Sequence, residues 1–314
     1  MEQPGYEKRG YLHEDFHLFH LCDAMREPVD WHYHTFHKLC VYLGGDAIRY
    51  GIEGRSYALE PGDLILVPQG CVHRPEVEPG AAYERMLLYL SPEFLRRSST
   101  EEAPLETCFL QAAEDFRFVV RTGARNASLL EPLRALERAK QSPGFGQQML
   151  ERALLYQLLI ALTRGMQEQA LPFASASAVD EKIAAILQYL ASHLTEKISI
   201  DDLAARFYIS KYHMMRRFRA QTGYTIHAYL VGKRLMLARE KISAGVPVME
   251  AACQCGFGDY SSFSRAYRRE FGHAPSSARC QRGRSGRRPM PQKHSPPTAT
   301  MLGWLQPRQA SSMQ

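Results

Sequence analysis

Two short segments near the start of the chain carry the side chains best suited to bind a ligand. The first, WHYHTFHKL, places His32 and His34 two residues apart, with Lys38 four residues further on. The second, GDLILVPQGCVH, is an apolar run between two turns that ends at His73. Imidazoles two residues apart on a strand point to the same side, and imidazole is the commonest protein ligand of transition metals. His32 and His34 are therefore placed to face one ligand together, and His73 ends the second segment.

Lys38 argues against a metal in this position. A cation opposes metal binding, and three imidazoles without a carboxylate make a poor octahedral site. His37 lies at an odd offset from His34, so a regular strand places it on the opposite face. We therefore expect no metal and no other cofactor. The alternatives are that His32, His34, Lys38 and His73 line a pocket for a polar or anionic small molecule, or that they are structural.

A second group of candidate binding residues lies in the last third of the chain. Ser199 is a cap at the start of a short helix, the chain turns at Tyr208, Ser210 caps the next helix, and Gly223 ends it. One face of this second helix carries side chains that can contact a polyanion: Tyr212, Met215, Arg216 and Arg219. A capped helix, a tight turn and a helix with a basic free face are typical of a helix-turn-helix unit in a DNA major groove.

The pattern recurs about 50 residues further on. Pro247 is predicted at the first position of a helix, Gly256 at the turn, Asp259 at the next cap, and Gly272 at the end. The outward face of the last helix carries Tyr260, Ser261, Ser264, Arg265 and Arg268. Between the two units, residues 225–243 are predicted to form one long helix.

The histidines of the first two segments lie among predicted strands and not among helices. Apolar runs between residues 31 and 90 are cut about every ten residues by turn signals at Gly44-Gly45, Glu53-Gly54, Pro61-Gly62, Gln69-Gly70 and Pro79-Gly80. This spacing favours a small antiparallel barrel or sandwich. From Pro104 onward leucines recur at helical steps, and one run is either a dimer seam or intradomain core: Leu150, Leu154, Leu158 and Leu162.

These patterns predict a multidomain α+β chain. An N-terminal antiparallel β-barrel takes residues 1–100, followed by a helical segment at 101–170 that connects or dimerises and a small, polar linker at 171–180. An all-α domain with two helix-turn-helix units takes residues 181–280. The last stretch, residues 281–314, has basic residues, five prolines and little apolar pattern, so we expect a disordered tail.

The charge of the chain is divided between these parts. The net charge of +6 combines −7 over residues 1–200, +7 over 201–280 and +6 over 281–314. An acidic front half and a basic back half predict a polyanionic partner, namely double-stranded DNA, for the back half only. No stretch approaches the roughly 18 apolar residues of a membrane helix. The polar N-terminus lacks a secretory pattern, and seven scattered cysteines fit a reducing cytosol, so we expect a cytoplasmic protein with no membrane contact.

The back half resembles a known family. From about Ile183 to Arg279 the chain is similar to the DNA-binding domain of the AraC/XylS-type transcription regulators. The residues that carry the resemblance are IDDLAARFYISKYHMMRRFRAQTG, KRLMLARE and GFGDYSSFSRAYRREFGHAPSSAR. It implies base contacts from Tyr212, Met215, Arg216, Tyr260, Ser261, Ser264 and Arg265, and phosphate contacts from Lys211, Arg217, Arg219 and Arg268. The two histidine-bearing segments resemble the two motifs of a cupin barrel, a domain found in front of such DNA-binding domains. In metal-binding cupins two histidines and an acid of the first motif join a histidine of the second, so the resemblance makes His32, His34 and His73 weak metal candidates, with Lys38 at the position of the acid.

The resemblance implies a sequence-specific transcription regulator that activates its genes and is not an enzyme. A small-molecule effector would bind in the cupin-like barrel, RNA polymerase would be a partner, and the chain would be a possible homodimer. One alternative is a metal-dependent cupin enzyme fused to a DNA-binding domain, against which Lys38 argues because it stands where the motif has an acid. The other is a constitutive DNA-binding regulator with a vestigial barrel.

Overall fold

The computed structural model of the chain describes residues 12, 14–24, 28–123, 127–142, 144–178 and 180–277. Its strands are β1 (Phe16–Ala24), β2 (His37–Gly45), β3 (Arg49–Ile52), β4 (Arg55–Ala58), β5 (Leu64–Val67), β6 (His73–Glu76), β7 (Ala82–Leu90), β8 (Val119–Val120) and β9 (Ser177–Ala178). Its α-helices are α1 (Pro92–Ser98), α2 (Thr107–Glu114), α3 (Glu131–Gln141), α4 (Gln147–Gln167), α5 (Glu181–Ser192), α6 (Ile200–Arg206), α7 (Lys211–Thr222), α8 (Ile226–Ser243), α9 (Val248–Gln254) and α10 (Tyr260–Phe271). The tail predicted at 281–314 lies outside the described residues.

The strands form two antiparallel sheets, which we call the barrel. One has the order β1-β7-β2-β5-β8 and the other β6-β3-β4-β9, and their buried side chains share one hydrophobic core. The predicted turns are in place, and Gly45 shows why a glycine is needed. Its φ is +119°, and a Cβ there would lie 2.2 Å from the carbonyl oxygen of Ala82 on the neighbouring strand. Only glycine can occupy this position, where the end of β2 passes close to the backbone of β7.

The segment predicted as a linker is more ordered than a free tether. Within residues 171–180, Ser177 and Ala178 pair with Ser56 and Arg55 as the edge strand β9. Phe173 forms a bridge with Val120. The small polar composition therefore belongs to an extended stretch that follows the sheets and reaches the first helix of the C-terminal domain.

The helices of residues 101–170 pack on the barrel. Leu158 and Leu162 of α4 are fully buried in the same core as the strands, whereas Leu150 is 52% exposed. The four-leucine run is therefore not a continuous exposed seam. Its second half belongs to the core of the N-terminal domain, which is the usual place for leucines at helical spacing.

The C-terminal helices form the two predicted helix-turn-helix units, α6–α7 and α9–α10, with α8 between them. Each unit has its own hydrophobic core, and α8 contributes to both, since Leu230 packs in the first and Leu235 in the second. The guanidinium of Arg234 donates to the carbonyl oxygens of Leu194, Glu196 and Gly256 at 2.7, 2.6 and 3.2 Å. These bonds tie the second turn to the loop after α5.

Two helices begin a residue later than predicted. Thr225 is the N-cap residue of α8, which begins at Ile226. Pro247 is the N-cap residue of α9, with φ −55° and ψ 139°, and the helix begins at Val248. The error arises because proline is also common at the first helical position, where its missing N–H costs nothing. Among the described residues, no helix combines the length and the apolar character that a membrane crossing requires.

Candidate DNA interface and effector site

The first recognition helix is α7, and local interactions set both of its ends. Ser210 Oγ accepts a hydrogen bond from the backbone N–H of His213, and Gly223 ends the helix in the left-handed region with φ 76°. Ser199 Oγ caps α6 in the same way through Asp202 N–H at 3.0 Å. Met214 and Phe218 point into the core, so the phase of α7 is fixed and its other face is solvent-exposed.

The residues expected to read bases lie on that exposed face. Tyr212 and Met215 are 66% and 46% exposed, although large apolar side chains are normally buried in a folded domain. The Arg216 guanidinium lies 5.9 Å from the centre of the Tyr212 ring. An arginine backed by an aromatic ring and facing solvent is suited to guanine recognition in a major groove.

The second recognition helix is α10, and Asp259 caps it. Its carboxylate accepts from the backbone N–H groups of Ser261 and Ser262 at 3.2 and 2.7 Å. Hydrogen bonds from Ser262, then from Ser261, hold the pKa of Asp259 below its usual value. The candidate contacts Tyr260, Ser261 and Arg265 are exposed and Ser264 is half-buried.

The residues expected to contact phosphate differ in their surroundings. Lys211 forms an ion pair with Asp201, and Arg217 forms one with Asp180, the buried N-cap residue of α5. Arg219 and Arg268 are exposed on the same faces as the side chains expected to contact bases. Arg217 therefore has a structural role in joining α7 to the start of α5.

The barrel histidines expected to form a pocket converge. His32, His34 and His73 are buried, and one ring nitrogen of each lies within 4.8 Å of the others. His32 and His73 are held side by side by a pair of backbone hydrogen bonds of 3.1 and 2.9 Å. This bridge brings the two sequence segments together.

Lys38 joins the cluster from β2. Its Nζ lies 3.5 Å from Nε2 of His73 and donates to the Tyr50 hydroxyl at 3.2 Å. Burial lowers the pKa of Lys38 to about 8. Burial, followed by the neighbouring His32, Lys38 and His34, lowers the pKa of His73 well below its usual value. The imidazole of His73 is therefore neutral.

His37 does not join the cluster, as its odd offset predicts. Its Nε2 lies 3.2 Å from a carboxylate oxygen of Glu106, and its Nδ1 accepts from the backbone N–H of Gln69 at 3.3 Å. The ring stacks on Phe109, with centroids 4.5 Å apart. His37 therefore fastens β2 to α2.

Both halves of the chain match known protein families. Residues 19–159 match the AraC-like ligand binding domain, and residues 203–281 match a helix-turn-helix domain. Together these matches include most of the barrel and most of both helix-turn-helix units. The chain belongs to the AraC family of transcriptional regulators.

Relatives of this AraC-family chain include transcriptional regulators that align with it over most of their length. It is 24% identical over 270 residues to the HTH-type transcriptional activator RhaS of Yersinia pestis, covering 80% of this chain and 89% of the relative. It is 28% identical over 253 residues to RhaS of Salmonella arizonae, covering 79% and 86%. Among solved structures, ToxT from Vibrio cholerae matches at 13% identity and a TM-score of 0.33, over 84% of this chain and 97% of ToxT.

The ligand-binding domain and the helix-turn-helix domain of this AraC-family chain are in contact through residues that the sequence does not predict. The Glu53 carboxylate, in the β3–β4 turn, accepts from Lys233 Nζ at 2.8 Å and from the Tyr229 hydroxyl at 2.5 Å. Further bonds between the barrel and the C-terminal helices join Trp31 to Tyr224, Tyr33 to Glu270 and Gln69 to Glu240. A glutamate before a glycine in a turn looks solvent-exposed in a sequence, so no local signal marks Glu53 as buried.

Proposed function

We propose that this chain activates transcription by binding promoter DNA through both helix-turn-helix units, under the control of a small-molecule effector. The observation that carries the proposal is the pair of exposed recognition faces on α7 and α10, attached to the single helix α8. A rigid connection suits binding to two consecutive major-groove segments, which are about 34 Å apart on one face of DNA.

The proposed base contacts are Tyr212, Met215 and Arg216 from the first unit and Tyr260, Ser261, Ser264 and Arg265 from the second. Arginine pairs best with guanine O6 and N7, and tyrosine or methionine side chains can contact thymine methyl groups. Lys211, Arg217, Arg219 and Arg268 are proposed as phosphate contacts, which position the protein without reading sequence. Arg217 would first have to leave Asp180.

The proposed effector site is the cluster of His32, His34, Lys38 and His73, which is buried in the domain of the matched ligand-binding family. The hydrogen bonds of Tyr229 and Lys233 to the buried Glu53 carboxylate connect this domain directly to α8. An effector that shifts the turn after β3 would alter these bonds. The position of α8, and with it that of the two recognition helices, would then change. The alternative of a constitutive regulator predicts no such effect.

Further partners belong to the same proposal. An activator must recruit RNA polymerase, so the polymerase is a proposed partner. A homodimer is supported by exposed apolar side chains at and just before the start of α4, namely Phe145, Met149 and Leu150. The six cysteines of the described residues are free thiols, which supports a cytoplasmic location. We also propose that the chain is not an enzyme, since its relatives are named as transcriptional activators.

Selection of bound fragments from genomic DNA, followed by a transcription reporter on the selected site, tests this function. The full chain should enrich a defined site and raise transcription from it. The double variant Arg216→Ala/Arg265→Ala should enrich none, while remaining folded because both side chains are exposed. Enrichment of random fragments by the full chain would contradict sequence-specific binding. Equal transcription with and without the protein would contradict activation.

A further inference from the structure

The extended segment of residues 31–34 has two sides with different surroundings. Successive side chains of an extended backbone point to opposite sides. His32 and His34 lie in the buried histidine cluster of the barrel, whereas Tyr33 is fully buried in the hydrophobic core of the first helix-turn-helix unit. Trp31 packs against that same core. Segment 31–34 is therefore part of the DNA-binding domain as well as of the barrel.

Trp31 lies against the C-terminal end of α7. Gly223 is the residue at which α7 ends, and a Cβ at this position would lie 2.8 Å from Cβ of Trp31. Only glycine permits so close an approach. The carbonyl oxygen of Trp31 also accepts a hydrogen bond of 3.0 Å from the hydroxyl of Tyr224, the residue after Gly223. The end of the first recognition helix is therefore held directly on segment 31–34.

Tyr33 holds the corresponding end of α10. Its hydroxyl donates a hydrogen bond to the carboxylate of Glu270, in the last turn of that helix. The next residue, Phe271, packs against the core that contains Tyr33 and also against the core of the second helix-turn-helix unit. The C-terminal ends of both recognition helices therefore contact side chains that are two residues apart on one segment of the barrel.

These contacts lie at the ends of the helices opposite the proposed base contacts. At 1.5 Å per residue, Gly223 lies about 10 Å beyond Arg216 along the axis of α7. In α10, Glu270 lies about 7.5 Å beyond Arg265 in the same sense. Contact with the barrel is therefore compatible with insertion of both exposed faces into DNA grooves.

We propose that segment 31–34 is a brace that fixes the position of α7 relative to α10, with Trp31 and Tyr33 as positioning residues for DNA recognition. The two units share the single helix α8, and a second point of contact beside that helix opposes tilting of one unit against the other. The proposal rests on the proposed function in taking both units as DNA-reading. It deepens that function, because a braced pair of helices selects DNA sites by the spacing of their two halves.

Selectivity for spacing measures the brace in the full chain. One base pair inserted between the half-sites of the selected DNA moves the second half-site by about 3.4 Å and turns it by about 35°. To bind this lengthened site, the wild type must break the bond between Tyr33 and Glu270, whereas Tyr33→Phe has no such bond to break. A hydrogen bond to a charged group changes an equilibrium by about tenfold or more. The ratio of Kd on the lengthened site to Kd on the selected site should therefore be about tenfold smaller for Tyr33→Phe than for the wild type.

Two further variants assign the effect to this bond. Glu270→Ala should lower the ratio as Tyr33→Phe does, and the double variant should lower it no further, because both changes remove the same interaction. Tyr57→Phe is the matched control. Tyr57 is also a buried tyrosine of the barrel, but its hydroxyl donates to the carbonyl oxygen of Phe116 at 3.3 Å within the same domain. This variant should leave the ratio unchanged.

A distance measurement tests the brace without DNA. Spin labels are attached at Ala220→Cys on α7 and Arg269→Cys on α10, both exposed positions, in a full chain whose other accessible thiols are replaced by serine, namely Cys22, Cys253 and Cys280. Pulsed electron paramagnetic resonance then gives the distribution of distances between the two helices. The distribution should be narrow in the otherwise unchanged chain and wider when Tyr33→Phe is added.

The outcomes separate this proposal from the proposed function. Equal weakening of Tyr33→Phe on both sites leaves the ratio unchanged, gives Tyr33 a merely structural role and overturns the brace. An equal fall of the ratio in Tyr57→Phe, or distance distributions of the same width with and without Tyr33→Phe, would also overturn it. A chain that selects no DNA contradicts the proposed function, and the distance measurement alone then decides whether the brace exists.

Discussion

Lys233 of α8 donates a hydrogen bond of 2.8 Å to the carboxylate of Glu53 in the barrel. Glu53 is 3% exposed, and its backbone has a positive φ of 46°. The same carboxylate accepts from Val72 N–H and from the Tyr229 hydroxyl. Because α8 packs in the cores of both helix-turn-helix units, this ion pair connects the ligand-binding domain to a helix that both units share.

Removing the lysine should destabilise the chain. Lys233→Met leaves the buried Glu53 carboxylate without its cation, and breaking a buried ion pair in this way typically lowers the free energy of unfolding by about 3–5 kcal/mol. Urea denaturation measures the loss. Lys241→Met on the same helix removes only a bond to Gln254 and should cost less than about 1 kcal/mol. Equal losses for the two variants would contradict a special role for the Glu53 contact.

Loss of a base-reading arginine should relax specificity. Arg216→Ala and Arg265→Ala should each cost about 1–3 kcal/mol of binding free energy on the selected site and flatten the preference at one or two base pairs. Competition binding with single-base variants of the site measures this. Arg138→Ala, at a 65% exposed arginine on α3, is the control and should bind as the wild type does. Equal weakening on selected and random DNA would make these arginines phosphate contacts.

The turn of the first helix-turn-helix unit holds a residue in a strained conformation. Tyr208 has φ 49° and is 89% exposed, while the matching turn of the second unit has Gly256 at φ 78°. A non-glycine residue in this region costs about 1–2 kcal/mol, so Tyr208→Gly should raise the free energy of unfolding by about 1 kcal/mol. Thermal melting tests this.

Tyr208→Ala is the matched control for that change. It removes the ring but keeps a Cβ, so it should give no gain. If alanine stabilises the chain as much as glycine does, the ring and not the backbone is the source of the effect.

His20 should make stability depend on pH. It bridges β1 to Glu137 at 2.6 Å and to Glu84 at 3.0 Å. Burial lowers the pKa of His20, but its bonds to Glu137 and Glu84 outweigh burial and place the pKa above its ordinary value. The folded chain therefore favours the charged ring. The contribution is fully present below the unfolded pKa of about 6.5 and is lost as pH rises through the folded pKa.

The measurement for His20 is the difference in unfolding free energy between the wild type and His20→Asn. It should be larger at about pH 5.5 than at about pH 8.5, and smaller than about 1 kcal/mol because the pair is partly exposed. A difference that is the same at both pH values, or larger in alkali, would contradict the ion-pair interpretation.

Local signals account for what the sequence predicted well. Ser199, Ser210, Asp259 and Gly223 mark helix ends because a cap is an interaction between near neighbours. The two helix-turn-helix units follow from such signals and from helix phase. The edge strands β8 and β9 have two residues each, and their pairing depends on distant partners.

Long-range contacts explain what the sequence did not predict. Glu53 and Lys233 are separated by 180 residues, and neither has a neighbour in the sequence that marks it as buried. The shared side of His32 and His34 follows from strand alternation, but their meeting with His73 depends on a bridge between two segments. The proton on Nδ1 of His32 and His73 is set by carbonyl groups whose direction only the folded backbone gives.

Footprinting of the full chain on its selected DNA site shows directly whether both helix-turn-helix units read DNA. Hydroxyl radicals should reveal two protected segments on one face of the duplex, about 10–10.5 base pairs apart. Arg216→Ala should weaken one segment and Arg265→Ala the other. A single protected segment that neither variant changes would contradict DNA reading by both units.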